Sequence, residues 1–211
     1  MIRGSKNWYI APIPENWYRM IAKKGVSSNA IKLALYLWFL KKTQKSQSLI
    51  VKASEAREFG VSRDKIPRAL STLQLAGVIT EYEKLNRGWR VSILDVKINP
   101  DAPYIPKIPL MRIQEIMKGR ASAVIIRLYL YILYLSTDKN TNDRLIVSGY
   151  RAQKFGVPIP HFIAAMKDLE QRGLVKVNKE GRGYLVTICN KGNNNSNKNN
   201  KMRGNASVNK S

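Results

Sequence analysis

Ser62, Arg63, Lys65, Arg68 and Thr72 lie in one short stretch, VSRDKIPRALST, directly after a Phe-Gly pair. Lys84, Arg87 and Arg90 follow in a segment where polar and apolar residues alternate. These side chains offer hydrogen bonding and positive charge rather than bond-breaking chemistry. A guanidinium can make two parallel bonds to a guanine edge, whereas an ammonium supplies a less directional charge. Catalysis has little to work with elsewhere. The chain holds a single histidine, His161, and a single cysteine, Cys189. That excludes a disulfide framework and a Cys/His zinc site within one chain. The acids are scattered, and no P-loop pattern occurs. The expectation is a binding protein with no cofactor and no metal.

The charge balance points the same way. There are 37 Lys+Arg against 14 Asp+Glu, a formal charge of +23 in 211 residues. Such a surplus repels itself and is best tolerated beside a polyanion. Residues 1–95 carry +10, residues 96–189 carry +8, and residues 190–211 carry +5. Hydrophobic residues make up 44% of the chain, enough for a core. The longest apolar runs, Ala30–Leu40 and Ala121–Leu135, fall short of the roughly 20 residues a membrane span needs, and Lys32 and Arg127 interrupt them. They are expected to be buried core helices of a cytoplasmic protein with no membrane partner.

The elements that must position the cations occur twice. LIVKASEAREFGVSRDKIPRALSTLQLAGVI (49–79) aligns without a gap to LIVSGYRAQKFGVPIPHFIAAMKDLEQRGLV (145–175), with ten of 31 positions identical. Chance would give about two. Upstream, YIAPIP (9–14) answers YIPKIP (104–109); downstream, RGWRVSI (87–93) answers RGYLVTI (182–188). The loop DKNTND takes up extra length in the second copy. The expected organisation is a first module over 1–95, a linker over 96–103 with two prolines, a second module over 104–189, and a disordered Asn/Lys-rich tail over 190–211.

Each copy reads alike. A short helix (Glu15–Lys23; Leu110–Lys118) precedes a long apolar one (Asn29–Lys42, capped by Ser28; Ala121–Ser136). The run LIV reads as a brief strand. Next come a compact helix (Ser54–Phe59; Tyr150–Phe155), a Gly-Val turn, and an amphipathic helix. That last helix turns Ile66, Leu70 and Leu73, or Phe162, Met166 and Leu169, to one face. Gly77 and Gly173 should end it, and a hairpin follows. Pro67 is awkward: if Ser62 caps the helix, it removes an internal hydrogen bond, so the helix must begin later or bend. The long helices are apolar all round, which requires burial on several sides. They are expected to pack on each other or on the opposite module, as an intramolecular pseudo-dimer, with homodimerisation through the same surfaces left open.

FGVSRDKIPRALSTLQLAGVI resembles the helix-turn-helix and wing of bacterial winged-helix regulators of the MarR and GntR kinds. The doubling resembles tandem winged-helix replication initiators of plasmids. The resemblance covers about 35 residues per copy. It implies a mainly α fold with small β-hairpin wings (α+β), in two tandem winged helix-turn-helix modules. It also implies double-stranded DNA as partner, with the helix after the Gly-Val turn in the major groove. Transcription regulation, replication and mobile-element processing all fit.

The second copy departs from the pattern. Pro158, Ile159, His161 and Ala164 stand where the first has Ser62, Arg63, Lys65 and Arg68. Its cations lie elsewhere: Arg151 and Lys154 before the turn, Lys167 further along, and Lys179 and Arg182 at the hairpin tip. That distribution suits phosphate contacts, which position without reading sequence. Unequal labour is therefore expected: the first copy specifies, while the second clamps DNA or packs on protein. The alternatives to sequence-selective DNA binding are non-specific architectural binding, RNA binding and protein bridging.

Overall fold

A computed structural model of the chain describes residues 9–23, 25–96, 104–117, 121–137 and 145–189. The linker beyond Val96, the helix end expected at Lys118, the DKNTND loop and the Asn/Lys-rich tail lie outside the described residues. The fold is α+β, with eight α-helices and small antiparallel sheets among the described residues.

The first half opens with two two-residue strands, β1 (Tyr9–Ile10) and β2 (Ile13–Pro14), followed by α1 (Glu15–Ala22) and α2 (Ser28–Gln44). Next come β3 (Ser48–Val51), the short α3 (Ala53–Ala56) with a 3-10 turn at Arg57–Phe59, and a second 3-10 turn at Arg63–Lys65. The half closes with α4 (Ile66–Leu75) and the hairpin β4 (Ile79–Leu85) and β5 (Gly88–Ile93). The second half repeats that order: β6 (Tyr104–Ile105), β7 (Ile108–Pro109), α5 (Leu110–Met117), α6 (Ala123–Leu135), β8 (Ile146–Val147), α7 (Gly149–Gln153), α8 (Ile159–Gln171), β9 (Val175–Glu180) and β10 (Gly183–Ile188).

In each half the hairpin's return strand lies centrally. The sheet orders are β3-β5-β4 and β8-β10-β9, all antiparallel. Val51 pairs with Trp89, and Val147 with Tyr184, so the LIV run fixes where each hairpin tip ends. The first hairpin has one more residue than the second. The sheet absorbs it at Thr80, where the β4–β5 register slips between Ile79 and Glu81. Thr80 is tied down there: its hydroxyl donates to the Ser92 carbonyl at 3.3 Å, and its own carbonyl accepts from Gln74 Nε2 at 3.0 Å. Such a bulge bends the strand without disturbing the pairs beyond it.

The two halves are joined by exchange. β1 pairs with β7 and β2 with β6, so each short strand finds its partner in the other half. The register is reciprocal: Ile10 faces Ile108, and Ile13 faces Ile105. Swapping the copies turns one pair into the other, which is a two-fold relation. Along the same seam α2 packs against α6. Every residue from Ala30 to Leu40, and from Ile125 to Leu135, is buried, as all-round apolarity requires. No helix among the described residues is long and apolar enough to cross a membrane.

The start of the long helix corrects one expectation. Ser27, not Ser28, is the cap: its side chain accepts from the Ala30 N–H at 3.2 Å, as Ser122 does from Ile125 at the matching place. Ser28 is already helical, and its hydroxyl donates across the seam to the Ala121 carbonyl at 2.8 Å.

Candidate nucleic-acid interface

Pro67 decides how the polar stretch is displayed. Residues 63–65 form a single 3-10 turn closed by the Lys65 N–H on the Ser62 carbonyl, and the α-helix begins only at Ile66. Pro67 is thus the second helical residue, where its missing N–H would have had no helical partner anyway. Ser62 is extended and its side chain caps nothing. Ile66, Leu70 and Leu73 are buried against the core, while Ser62, Arg63, Lys65 and Arg68 are exposed. Gly77 and Gly173 take the left-handed conformation that ends the helix in each half, with φ of +79° and +67°.

The 63–65 turn and the hairpin tip face each other across an open cleft of about 1230 Å³. Arg63, Lys84 and Arg87 line it together with Lys52, and Pro67, Tyr82 and Trp89 form apolar wall. Strand pairing explains the convergence. Lys84 is paired with Trp89 and Tyr82 with Val91, so Tyr82, Lys84 and Trp89 share one face of the hairpin. Arg63, Lys84 and Arg87 have no acidic partner within 4.0 Å among the described residues. The one carboxylate lining the cleft, Asp64, is 3.1 Å from Lys65. The Ser62 hydroxyl, and then Lys65, hold that carboxyl below the usual range, so it is ionised at neutral pH. Lys52 is 3.3 Å from Glu55. The concavity therefore has a cationic rim and a partly apolar wall, which suits a phosphate backbone better than a small neutral ligand.

Other sequence-chosen residues are not gathered there. Thr72 is half-buried, and its hydroxyl donates back to the Arg68 carbonyl at 2.9 Å. Arg90 faces Glu83, its cross-strand partner, at 2.9 Å on the opposite face of the hairpin from Trp89. Trp89 is buried and packs in the core. In the second half Arg151, Lys154, His161, Lys167, Lys179 and Arg182 are all exposed. His161 lines a shallow groove of about 340 Å³ against the start of α6, with Ala164 and Asp168. Tyr184 packs its ring on Phe162, centroids 5.8 Å apart.

Sequence reasoning passes over two features. Lys52 reads as an ordinary surface cation; the signal is its place one residue after the LIV strand, to which the hairpin tip must return. Lys32 and Arg127 read as interruptions in apolar runs, yet both are buried at the seam. Arg127 donates to the Lys23 and Val26 carbonyls of the first half at 2.8 and 2.7 Å, and to Gly156 at 3.3 Å. Burial lowers the pKa of both cations, and Arg172 nearby adds to the effect on Lys32.

No protein-family model, curated protein sequence or solved structure matches the chain.

Proposed function

We propose that the chain is a sequence-selective, double-stranded DNA-binding protein made of two winged helix-turn-helix modules, held as an intramolecular pseudo-dimer by the α2–α6 seam. The first half is the reader. Its 63–65 turn and the start of α4 enter the major groove, where Arg63 can reach a guanine edge, and Lys84 and Arg87 grip the flanking phosphates. The second half supplies further backbone contacts through Arg151, Lys154, Lys179 and Arg182. The protein performs no chemistry on its target; it works as a regulator of transcription or as a replication or mobile-element factor.

The observation that carries this reading is the cleft in which Arg63, Lys84 and Arg87 converge with no acidic partner among the described residues. Three uncompensated cations on two elements, separated by a concavity open to solvent, are arranged for a polyanion that spans both.

The test is selection of bound fragments from random duplex DNA by the full chain at about 150 mM salt, where phosphate attraction alone is weak. The Arg63→Ala/Arg87→Ala variant is run alongside. The expected result is a recovered motif that the variant relaxes through loss of Arg63, with its salt dependence lowered by about one ion equivalent for the phosphate that loses Arg87. Recovery of no motif by the wild-type chain refutes the reading. The motif's position in the parental genome then separates promoter, origin and transfer-site roles.

A further inference from the structure

Where the first half displays cations, the second displays hydrocarbon. Tyr150, Ile159 and Ile163 are 70%, 48% and 52% exposed. In the repeat they stand at the places of Ser54, Arg63 and Pro67, three residues that line the first half's cleft. Single exposed apolar residues are ordinary, but these three stand where the first half builds one wall of a cleft, and together they offer an apolar patch for contact. Lys179 and Arg182 stand at the places of the cleft-lining Lys84 and Arg87, and Arg151 and Lys154 lie on and just after the short helix that holds Tyr150. All four are exposed and without an acidic partner within 4.0 Å among the described residues. Lys154 lies 5.9 Å from the Tyr150 ring centre.

We propose that this face is a second DNA contact, one that reads thymine through its 5-methyl group. It rests on the DNA-binding reading above and extends it to the half that lacks hydrogen-bonding readers. Charge complementarity selects the occupant. An apolar centre within a cationic rim matches a major groove, whose floor carries thymine methyls and whose edges carry phosphates. Ile159 and Ile163 are the first and fifth residues of α8 and project one turn apart from the end of the helix that meets base edges. Neither can donate to or accept from a base, so the face recognises A·T steps by shape and methyl burial alone. His161 lies between them in the sequence and lines the groove against α6.

The experiment uses the full chain and its selected duplex, with each thymine replaced in turn by deoxyuridine. The replacement removes one methyl and leaves every hydrogen-bonding edge intact. At the positions under the second half, affinity is expected to fall about fourfold per methyl, the cost of one buried methyl group. Ile159→Ala/Ile163→Ala should abolish that sensitivity while leaving the salt slope unchanged. Lys179→Ala/Arg182→Ala should lower the salt slope and keep the sensitivity. These side chains are exposed, so the variants should unfold like the parent, which thermal melting checks. Duplex binding with no response to deoxyuridine at any position overturns the proposal and leaves DNA binding standing. An Ile159→Ala/Ile163→Ala variant that binds DNA as the parent does but changes its oligomeric state assigns the face to protein, and also overturns it. Failure of the wild-type chain to bind any duplex brings down both readings together.

Discussion

The two halves agree in their cores and part company on their surfaces. Ile66, Leu70 and Leu73 are buried on α4, and Phe162, Met166 and Leu169 are buried on α8 at the matching places. A few residues upstream, Arg63 and Ile159 occupy equivalent exposed positions with opposite chemistry. Packing constrains a buried position in both copies alike, because a change of even one methylene is felt. An exposed position answers only to what it touches. Under the DNA-binding reading proposed above, the surface divergence marks the part of each half that would make its own contacts, and the shared core marks what holds it. The seam is a third case: its two sides are related by the two-fold, yet they are not equally tight.

The largest expected effect tests that asymmetry. Gly60 and Gly156 are counterparts with φ of +72° and +73°. A Cβ on Gly156 would lie 2.0 Å from the Ala22 carbonyl oxygen of the opposite half, a backbone atom that cannot swing away. A Cβ on Gly60 would find Lys32 Nζ and Met117 Cβ at 3.5 Å, which is ordinary contact. Gly60→Ala should cost only the left-handed strain, about 1–2 kcal/mol. Gly156→Ala should cost about 4 kcal/mol, since the clash adds an overpacking term to the same strain. Urea unfolding of the two variants checks this, and equal losses would mean that the seam is symmetric after all.

Arg127 and Lys32 sharpen the same contrast. Arg127→Ala removes three carbonyl partners at the seam and is expected to cost about 3 kcal/mol. Lys32 donates no hydrogen bond among the described residues, and its pKa is lowered by burial first and Arg172 second. The native state thus releases this proton at lower pH than the unfolded chain does. Between the two pKa values the unfolded chain binds more protons, so Lys32 makes stability rise with pH there and is a penalty below it. Lys32→Met should raise stability at neutral pH by about 1 kcal/mol and remove that rising component from the alkaline stability profile. A Lys32→Met variant less stable than the parent would show that the ammonium is satisfied at the seam.

Much of this is legible in the sequence, for a physical reason. Ten identities, most at buried or turn positions, disclose a repeated core, and apolarity all round the long helices discloses their burial. Exchange of the short strands is not legible, although YIAPIP and YIPKIP are recognisable counterparts. A two-residue strand has no periodicity to read, and nothing in a repeat says that its copies pair with each other. The Thr80 bulge is hidden as a one-residue change of offset between the helix and the hairpin. Of the candidate binding residues, spacing points to Arg63, Lys84 and Arg87 but ranks Arg68, Thr72 and Arg90 equally with them. Only strand register and helix phase separate the groups. Pro67 points to a later helix start or a bend, and the structure takes the later start, at Ile66; the 3-10 turn that fills residues 63–65 is the part the sequence does not show.

The smallest expected effect concerns two cations on the first hairpin. Lys84 is paired with Trp89 on the cleft face, while Arg90 is paired with Glu83 on the other. Lys84→Ala should weaken DNA binding uniformly across sequences and lower the salt slope by about one. Arg90→Ala should change affinity less than about twofold and leave the slope alone, because its charge already lies against a carboxylate at 2.9 Å. Losing that exposed pair should alter stability by less than about 1 kcal/mol. Salt titrations of both variants by fluorescence anisotropy on one duplex make the comparison direct. If Arg90→Ala lowers the slope and Lys84→Ala does not, DNA lies on the outer face of the hairpin. The cleft would then be a by-product of how the tip folds back on β3, and the contrast between the halves would have to be redrawn around that outer face.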